Sequence, residues 1–180
     1  MADIKHDVAT KLLWVDLEMT GLEPDTDRIL EIAAIVTDFD FNELGRFESA
    51  IHQDVSVLAG MNDWARETHN ASGLITRVAS APSEQKVAAD FAKFIAKHFA
   101  EPAVLAGNSI HQDRRFIRTW WPDVESLLHY RMLDVSSYKI IMQGKYHRIF
   151  TKKETHRALD DIEESIAELK FYLRLEERKS

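Results

Sequence analysis

The sequence contains no cysteine among its 180 residues. Disulfide bonds, thiol nucleophiles and thiolate metal sites are therefore excluded, and a reducing cytoplasm is the location that we expect. No apolar run approaches the roughly 18–20 residues that a membrane-spanning helix needs. The first ten residues, MADIKHDVAT, have no apolar centre and do not resemble a signal peptide. Any metal must be bound by carboxylate, imidazole or backbone oxygen.

Glycine and proline are also scarce, with 6 and 4 residues, and they are scattered along the chain. No linker, internal repeat or low-complexity stretch divides the sequence. A chain of this length suits one domain with a sizeable core. We therefore expect residues 1–180 to form a single domain whose core spans about residues 10–175.

The formal net charge is −7, which argues against binding to a long polyanion. The charge is uneven, however. Residues 107–160 carry 10 Lys and Arg against 6 Asp and Glu, and the rest of the chain carries 13 against 24. A locally basic region on an acidic body suits a small anionic ligand, although an ordinary solvated surface explains it equally well.

Three apolar segments early in the chain are typical of buried strands. They are Lys11–Glu18, Ile29–Thr37 and Gly45–His52, and short connections join them. Strands that follow each other so closely favour an antiparallel meander.

Helical patterns follow. Val87, Phe91, Ile95 and Phe99 recur every four residues after Ser83 and predict an amphipathic helix that ends before Pro102. We expect a buried strand over Ala103–Gly107, a helix from His111, a strand over Arg131–Val135, a helix near Ser137–Gln143 and a last helix from about Ala158. The buried stripe of that last helix is predicted to contain Ile162, Ile166, Leu169 and Leu173. The order predicts an α/β fold with a mixed sheet flanked by helices.

Asp16 and Glu18 end the first predicted strand. Residues two apart on a strand share a face, so both carboxylates point to the same side. On so apolar a strand, two acids on one side repel each other unless a cation binds there. The alternative is that the strand has already ended and both acids are solvated.

Two further acids lie near helix starts. Asp113 follows a predicted strand in AGNSIHQDRRF, and Asp161 lies early in the last helix. Capping of a helix N-terminus explains either residue taken alone. Asp160 competes with Asp161, but neighbours in a helix lie about 100° apart, so only one can face a common centre.

His156 precedes Asp161 by five residues, where the chain turns into the last helix. Histidines on such segments are often ordinary surface residues. The functional alternative is a general base, because imidazole can be neutral near pH 7 and accept a proton from water.

Hard oxygen ligands without soft ones are typical of a magnesium or manganese site. Two such ions can activate a water on one side of a phosphorus atom and stabilise the leaving oxygen on the other. The pattern therefore favours phosphodiester hydrolysis.

The spacing of Asp16-x-Glu18, Asp113 and His156-x4-Asp161 resembles the three motifs of the DEDDh (DnaQ-like) exonuclease superfamily. Within it, the chain resembles the oligoribonucleases in WVDLEMTGL, GMNDW, THNASGL, GNSIHQDRRF, YRMLDVSS and THRALDDIEES, which stretch over residues 14–165. None of the five catalytic positions departs from the family's pattern.

The resemblance implies a ribonuclease H-like fold and a homodimer that trims dinucleotides and other short RNAs to mononucleotides from the 3′ end. It implies two divalent cations, Mg²⁺ or Mn²⁺, on Asp16, Glu18, Asp113 and Asp161, with His156 as general base.

The resemblance also implies substrate contacts: Leu22 is expected to wedge between two bases and Trp64 to line the base pocket. Around the 5′ phosphate the resemblance implies His69, Ser109, Arg131 and Ser136, with Tyr130 completing the site across the dimer.

Two other functions stay open at this point. A DNA-trimming exonuclease of the proofreading type would share the motifs, and its activity would be higher on long single-stranded DNA than on a dinucleotide. A non-catalytic nucleotide-binding protein on the same fold is disfavoured because all five catalytic residues are present.

Overall fold

A computed structural model of the protein describes residues 8–151 and 157–177. Within those residues a five-stranded mixed sheet forms the centre of the molecule, with the strand order β3-β2-β1-β4-β5. The strands are β1 (Lys11–Met19), β2 (Ile29–Asp38), β3 (Glu43–Ala50), β4 (Ala103–Gly107) and β5 (Leu128–Asp134). The first three strands are antiparallel neighbours, as the meander predicts, and β4 and β5 add in parallel.

Eight helices surround this sheet in the described part of the chain. They are α1 (Val55–Ala59), α2 (Asp63–Ala71), α3 (Leu74–Ala79), α4 (Glu84–His98), α5 (His111–Trp120), α6 (Pro122–Glu125), α7 (Val135–Tyr146) and α8 (Ala158–Glu177). A side-chain cap from Ser83 starts α4, and Asp134 caps α7 in the same way.

The core lies on both faces of the sheet. One face packs against α4 and α5 through residues such as Val15, Phe91 and Phe116. The other packs against α7 and α8 through residues such as Trp14 and Ile162. Alternation along β1 divides its side chains between the two faces, since successive residues of a strand point in opposite directions. The mixed sheet with flanking helices confirms the predicted fold class.

Several predicted boundaries are wrong by two or three residues. Strand β3 lies two residues earlier than Gly45–His52, and β5 begins at Leu128 rather than Arg131. Val135 belongs to α7, because the cap is Asp134. Phe99 adopts extended dihedral angles after α4 and still packs against the core. No helix in the described ranges is long and apolar enough to span a membrane.

Candidate active site

Asp16 and Glu18 lie near the carboxyl end of β1, on the face of the sheet that α8 covers. Both are partly buried. In the antiparallel ladder, Asp16 is opposite Ala33 and Glu18 is opposite Glu31. The β-strand therefore continues through both acids, and the alternative of two solvated carboxylates beyond the strand is wrong.

Asp161 lies in the first turn of α8 and meets the two strand acids. Asp16, Glu18 and Asp161 each offer an oxygen such that all these atoms lie within 4.8 Å of one another. We call these three residues the carboxylate cluster. Asp161, rather than its neighbour Asp160, is the member that the last helix contributes.

Asp113 approaches the same strand from the first turn of α5. Its Oδ1 accepts a hydrogen bond of 2.9 Å from the backbone N–H of Leu17, between the two strand acids. Strand β1 pairs in parallel with β4 at Leu13 and Trp14. Further along β1, the backbone N–H of Leu17 donates to Asp113 instead. Burial raises the pKa of Asp113 to about 7, although this hydrogen bond works in the opposite direction.

Electrostatic repulsion is concentrated on Glu18. Burial, followed by the charges of Asp161, Glu31 and Asp113, raises its pKa to about 8. A carboxyl that resists ionisation near neutral pH marks a position where positive charge is needed. Hard carboxylate oxygens at this spacing fit a divalent cation such as Mg²⁺ or Mn²⁺.

Glu31 is a fifth acid near the cluster, and no sequence motif indicates its role. It is almost completely buried on β2, and its Oε1 lies 2.5 Å from Nη1 of Arg77 on α3. The same guanidinium lies 3.7 Å from Glu48 on β3. Arg77 therefore compensates the charge behind Glu18, and its own field lowers the pKa of Glu18 in part.

His156, the predicted general base, lies outside the described residues. The next residue, Arg157, is described, and its backbone carbonyl accepts a hydrogen bond of 3.0 Å from the backbone N–H of Asp161. The guanidinium of Arg157 lies 3.7 Å from Glu48. The chain therefore enters α8 directly beside the carboxylate cluster.

Leu22 and Trp64 are large apolar residues on the surface. Leu22 is 64% exposed in the turn after β1, and Trp64 is 66% exposed in the first turn of α2. The carbonyl of Leu22 accepts a hydrogen bond of 2.6 Å from Nε2 of Gln112 on α5. Gln112, which the sequence interpretation missed, thus fixes the turn relative to the helix that carries Asp113.

Ser109 and Ser136 lie together. The backbone N–H of Ser109 donates to Oγ of Ser136 at 2.9 Å, and the two hydroxyl oxygens are 3.2 Å apart. Ser109 has a φ of 51°, a left-handed conformation that non-glycine residues seldom adopt. Asp134 Oδ1 accepts from the N–H of both serines and supports this conformation.

Tyr130 and Arg131 protrude from a distortion of the edge strand β5. Ala103 and Leu105 on β4 are two positions apart, but their partners on β5, Leu128 and Met132, are four positions apart. The extra residues form a bulge in which Tyr130 is 71% exposed. Its ring lies 4.4 Å from the ring of His129, and the guanidinium of Arg131 lies 5.2 Å from the ring of Tyr130.

Arg114 holds this bulge from the buried side. Its Nη1 donates to the carbonyl of His129 at 2.7 Å, and its Nε and Nη2 donate to Glu125. The side chain that follows Asp113 therefore fixes the backbone beside Tyr130. Arg114 is itself only 8% exposed.

His69 is buried, in contrast to the exposed side chains of this region. Its Nε2 lies 2.8 Å from the carbonyl of Met19, directly after the strand acids. Its Nδ1 lies 3.8 Å from Oε2 of Glu18. The described contacts of His69 are therefore with the carboxylate end of the site, and its expected role at the 5′ phosphate stays a prediction.

Comparisons with known proteins agree with this geometry. Residues 13–169 match the family model RNase_T, described as "Exonuclease". An oligoribonuclease of Shewanella frigidimarina is 48% identical over 170 residues, covering 91% of this chain and 94% of that protein. An oligoribonuclease of Shewanella loihica is 50% identical over 169 residues, covering 91% and 93%. One from Francisella tularensis is 47% identical over 174 residues, covering 91% and 94%.

Solved structures with the same fold include exonuclease I. The zinc-bound complex of the Escherichia coli enzyme with single-stranded DNA superposes with a TM-score of 0.73 at 16% identity, over 91% of this chain and 40% of that one. Exonuclease I of Methylocaldum szegediense gives 0.70 at 17% identity, over 88% and 39%. The chain thus spans about two fifths of exonuclease I, and at this identity the likeness concerns the fold alone.

Proposed function

The chain belongs to the RNase_T exonuclease family and, within it, to the oligoribonucleases, and we propose that it is a 3′→5′ exoribonuclease acting on the shortest RNAs, dinucleotides above all. The products are 5′-mononucleotides. The observation that carries the proposal is the carboxylate cluster, three acids from β1 and α8 whose oxygens lie within 4.8 Å of one another.

Two divalent cations, Mg²⁺ or Mn²⁺, are proposed as cofactors. Asp16, Glu18 and Asp161 would hold them, with Asp113 as the fourth ligand. The raised pKa of Glu18, about 8, supports this assignment because bound cations offset the repulsion among the acids. When bound, such ions activate water and stabilise the negative charge that develops on a phosphodiester.

His156 is proposed to accept the proton of the attacking water. A neutral imidazole accepts a proton near pH 7, whereas the carboxylates of the site are committed to cation binding. Asp161 follows His156 by five residues, so the proposed base and a proposed metal ligand both depend on how the chain runs into α8.

The preference for short substrates is assigned to the two ends of the bound RNA. Leu22 and Trp64 expose apolar surface on which bases can stack without being read, a contact worth about 1–3 kcal/mol per base. Ser109, Ser136 and Arg131, with His69, are proposed to surround the 5′ phosphate. A longer RNA would have to displace that cap, so length is selected at its 5′ end.

A homodimer is proposed from the exposed apolar residues around the edge strand. Tyr130 and Met132 on β5 are 71% and 38% exposed, and Ile140 and Ile141 on α7 are 72% and 55% exposed. An edge strand with apolar neighbours is a surface that proteins normally cover. Tyr130 of a second copy would complete the phosphate end of the site.

The proposal covers the location and the domain as well. The catalytic unit is the single domain of residues 1–180, and the cytoplasm is its proposed location. Both stay predictions from the sequence, whereas the exonuclease family rests on the match over residues 13–169.

A product time course on labelled RNAs tests this function. We expect two-nucleotide RNA to be hydrolysed fastest, three-nucleotide RNA next and seven-nucleotide RNA slowest, with Mg²⁺ or Mn²⁺ present and with no turnover in chelator. Asp16→Ala should abolish hydrolysis while the circular dichroism spectrum is retained.

Matched single-stranded DNA of each length distinguishes the alternative. Faster degradation of long DNA than of the RNA dinucleotide would replace the proposed substrate with that of a DNA-trimming exonuclease. Unchanged turnover in Asp16→Ala would contradict the proposed metal site.

A further inference from the structure

A buried polar network joins the end of β4 to helix α8. Asn108 directly follows β4, and its Nδ2 donates to Ser165 Oγ at 2.7 Å and to Glu168 Oε2 at 3.1 Å. Tyr172 donates its hydroxyl to the other oxygen of Glu168 at 2.8 Å. Glu168 and Tyr172 have no exposed surface. Burial, together with the bond to Glu168, raises the pKa of Tyr172, so its hydroxyl stays a donor.

The helical members of this network share one face with Asp161. The residues Ser165, Glu168 and Tyr172 follow Asp161 by four, seven and eleven positions. At about 100° per residue, these four side chains fall within an arc of about 60°. Asp160 lies about 100° away from Asp161. The rotation of α8 about its axis therefore decides which of the two acids faces Asp16 and Glu18.

Apolar packing alone specifies that rotation weakly. The buried apolar residues Ile162, Ile166 and Leu169 meet other apolar side chains, and the hydrophobic effect that favours such contacts is non-directional. Hydrogen bonds to a buried carboxylate are directional, and breaking them leaves a polar group desolvated. Tyr172, on the same helix, holds one oxygen of Glu168 and orients its carboxylate. Asn108 holds the other oxygen from the end of β4, so its hydrogen bonds to Glu168 and Ser165 link the rotation of α8 to the sheet.

We propose that Asn108 and Glu168, whose carboxylate Tyr172 orients, are positioning residues that set the rotation of α8 and thereby aim Asp161 at Asp16 and Glu18. The inference rests on the proposed metal site. Asn108 also contacts the proposed 5′-phosphate site, because its Oδ1 accepts a hydrogen bond of 3.3 Å from the hydroxyl of Ser136. One side chain therefore connects the metal-binding helix with the serines proposed for the 5′ phosphate.

Calorimetric titration of the intact protein with Mn²⁺, in the absence of RNA, tests the positioning role. Asn108→Ala should weaken Mn²⁺ binding by about 10-fold or more, since outer-shell partners of ligands typically account for about 10–100-fold in metal affinity or activity. Glu168→Gln and Tyr172→Phe keep the shape of the core and should weaken binding by a few-fold. The variants Asn108→Ala and Glu168→Gln should be non-additive when combined, because they break one network.

Two matched controls separate positioning from general stability. Tyr138→Phe removes a hydroxyl from a tyrosine packed against the same core cluster, and Glu163→Gln removes a charge from an exposed position of α8. Both should bind Mn²⁺ as the wild type does. If Asn108→Ala does not fold, Glu168→Gln and Tyr172→Phe decide the question.

Affinities within twofold of the wild type for the folded network variants, with only their melting temperatures lowered, would overturn the inference. That result would leave the proposed function intact, provided that the wild type binds Mn²⁺. Conversely, wild-type binding of Mn²⁺ without RNA hydrolysis would contradict the proposed function and not the inference. At the proposed 5′-phosphate site, Asn108→Ala should reduce the preference for a 5′-phosphorylated over a 5′-hydroxyl dinucleotide, and Tyr172→Phe should not.

Discussion

The two ends of the candidate site are built differently. The carboxylate cluster is partly buried, lies between a central strand and a helix, and has a further buried acid, Glu31, beside it. The residues proposed to meet the bases, Leu22 and Trp64, are about two-thirds exposed. The first end is proposed to bind cations that offset the repulsion among its acids, and the second is proposed to present apolar surface to the bases. Changes at the first end should therefore affect turnover, and changes at the second should affect substrate affinity.

The largest effect is expected from Asp161→Asn. The amide keeps the size of the side chain but removes a ligand charge from the cluster, so turnover of a dinucleotide should fall by about 10²–10³-fold or more. Steady-state kinetics with saturating Mn²⁺ measures this fall. Asp160→Asn is the matched control and should retain nearly full activity, because Asp160 lies outside the cluster. Equal losses in the two variants would contradict the assignment of Asp161.

His156→Ala should reduce turnover by about 10²–10⁴-fold, the range expected when a general base is removed. The affinity for Mn²⁺ should change little, because the proposed role of the imidazole is proton transfer and not ligation. Single-turnover kinetics and a Mn²⁺ titration on the same preparation measure the two quantities. A parallel loss of metal affinity would make His156 a ligand instead.

Trp64→Ala tests the opposite end of the site. Loss of one stacking contact of about 1–3 kcal/mol should raise KM for a dinucleotide by about 5- to 150-fold. The value of kcat and the melting temperature should hardly change, because an exposed side chain leaves no cavity when truncated. Trp64→Phe keeps an aromatic face, so its KM should lie between those of the wild type and Trp64→Ala. A fall in kcat at unchanged KM would break the proposed division between the two ends.

The smallest effect concerns the pH dependence of stability. The pKa of Glu18 is raised from 4.5 to about 8, so ionisation of this group opposes folding. In chelator, the contribution of Glu18 to stability is full below pH 4.5 and is lost as the pH rises through 8. Saturating Mn²⁺ should diminish that loss, so the difference in melting temperature with and without metal should grow from pH 5 to pH 8.

Scanning calorimetry at several pH values measures this difference. Glu18→Gln cannot ionise and serves as the control, since its melting temperature should depend less on pH in chelator. A metal-induced stabilisation that is the same at pH 5 and pH 8 would argue against a repulsive carboxylate cluster.

The sequence predicted those parts of the molecule that depend on local periodicity. Alternation along β1 predicted that Asp16 and Glu18 share a face, and the four-residue spacing of Val87, Phe91 and Ile95 predicted α4. No helix was predicted over residues 55–79, because the three helices there have between five and nine residues and show no long apolar stripe.

Features that depend on tertiary contacts could not be predicted. The bulge at Tyr130 arises from the register between β4 and β5, which the sequence of either strand alone does not determine. The burial of His69 against Met19 follows from the position of α2 near the end of β1. The helical spacing of Ser165, Glu168 and Tyr172 can be read from the sequence. The hydrogen bonds that Asn108, on another element, donates to Ser165 and Glu168 cannot.

Anomalous diffraction at the manganese edge, from crystals soaked in Mn²⁺, tests the central claim most directly. Two Mn²⁺ peaks about 3.5–4 Å apart are expected among the carboxylates of Asp16, Glu18, Asp113 and Asp161. Carboxylates that point away from one another, with no anomalous peak between them at saturating Mn²⁺, would contradict the account.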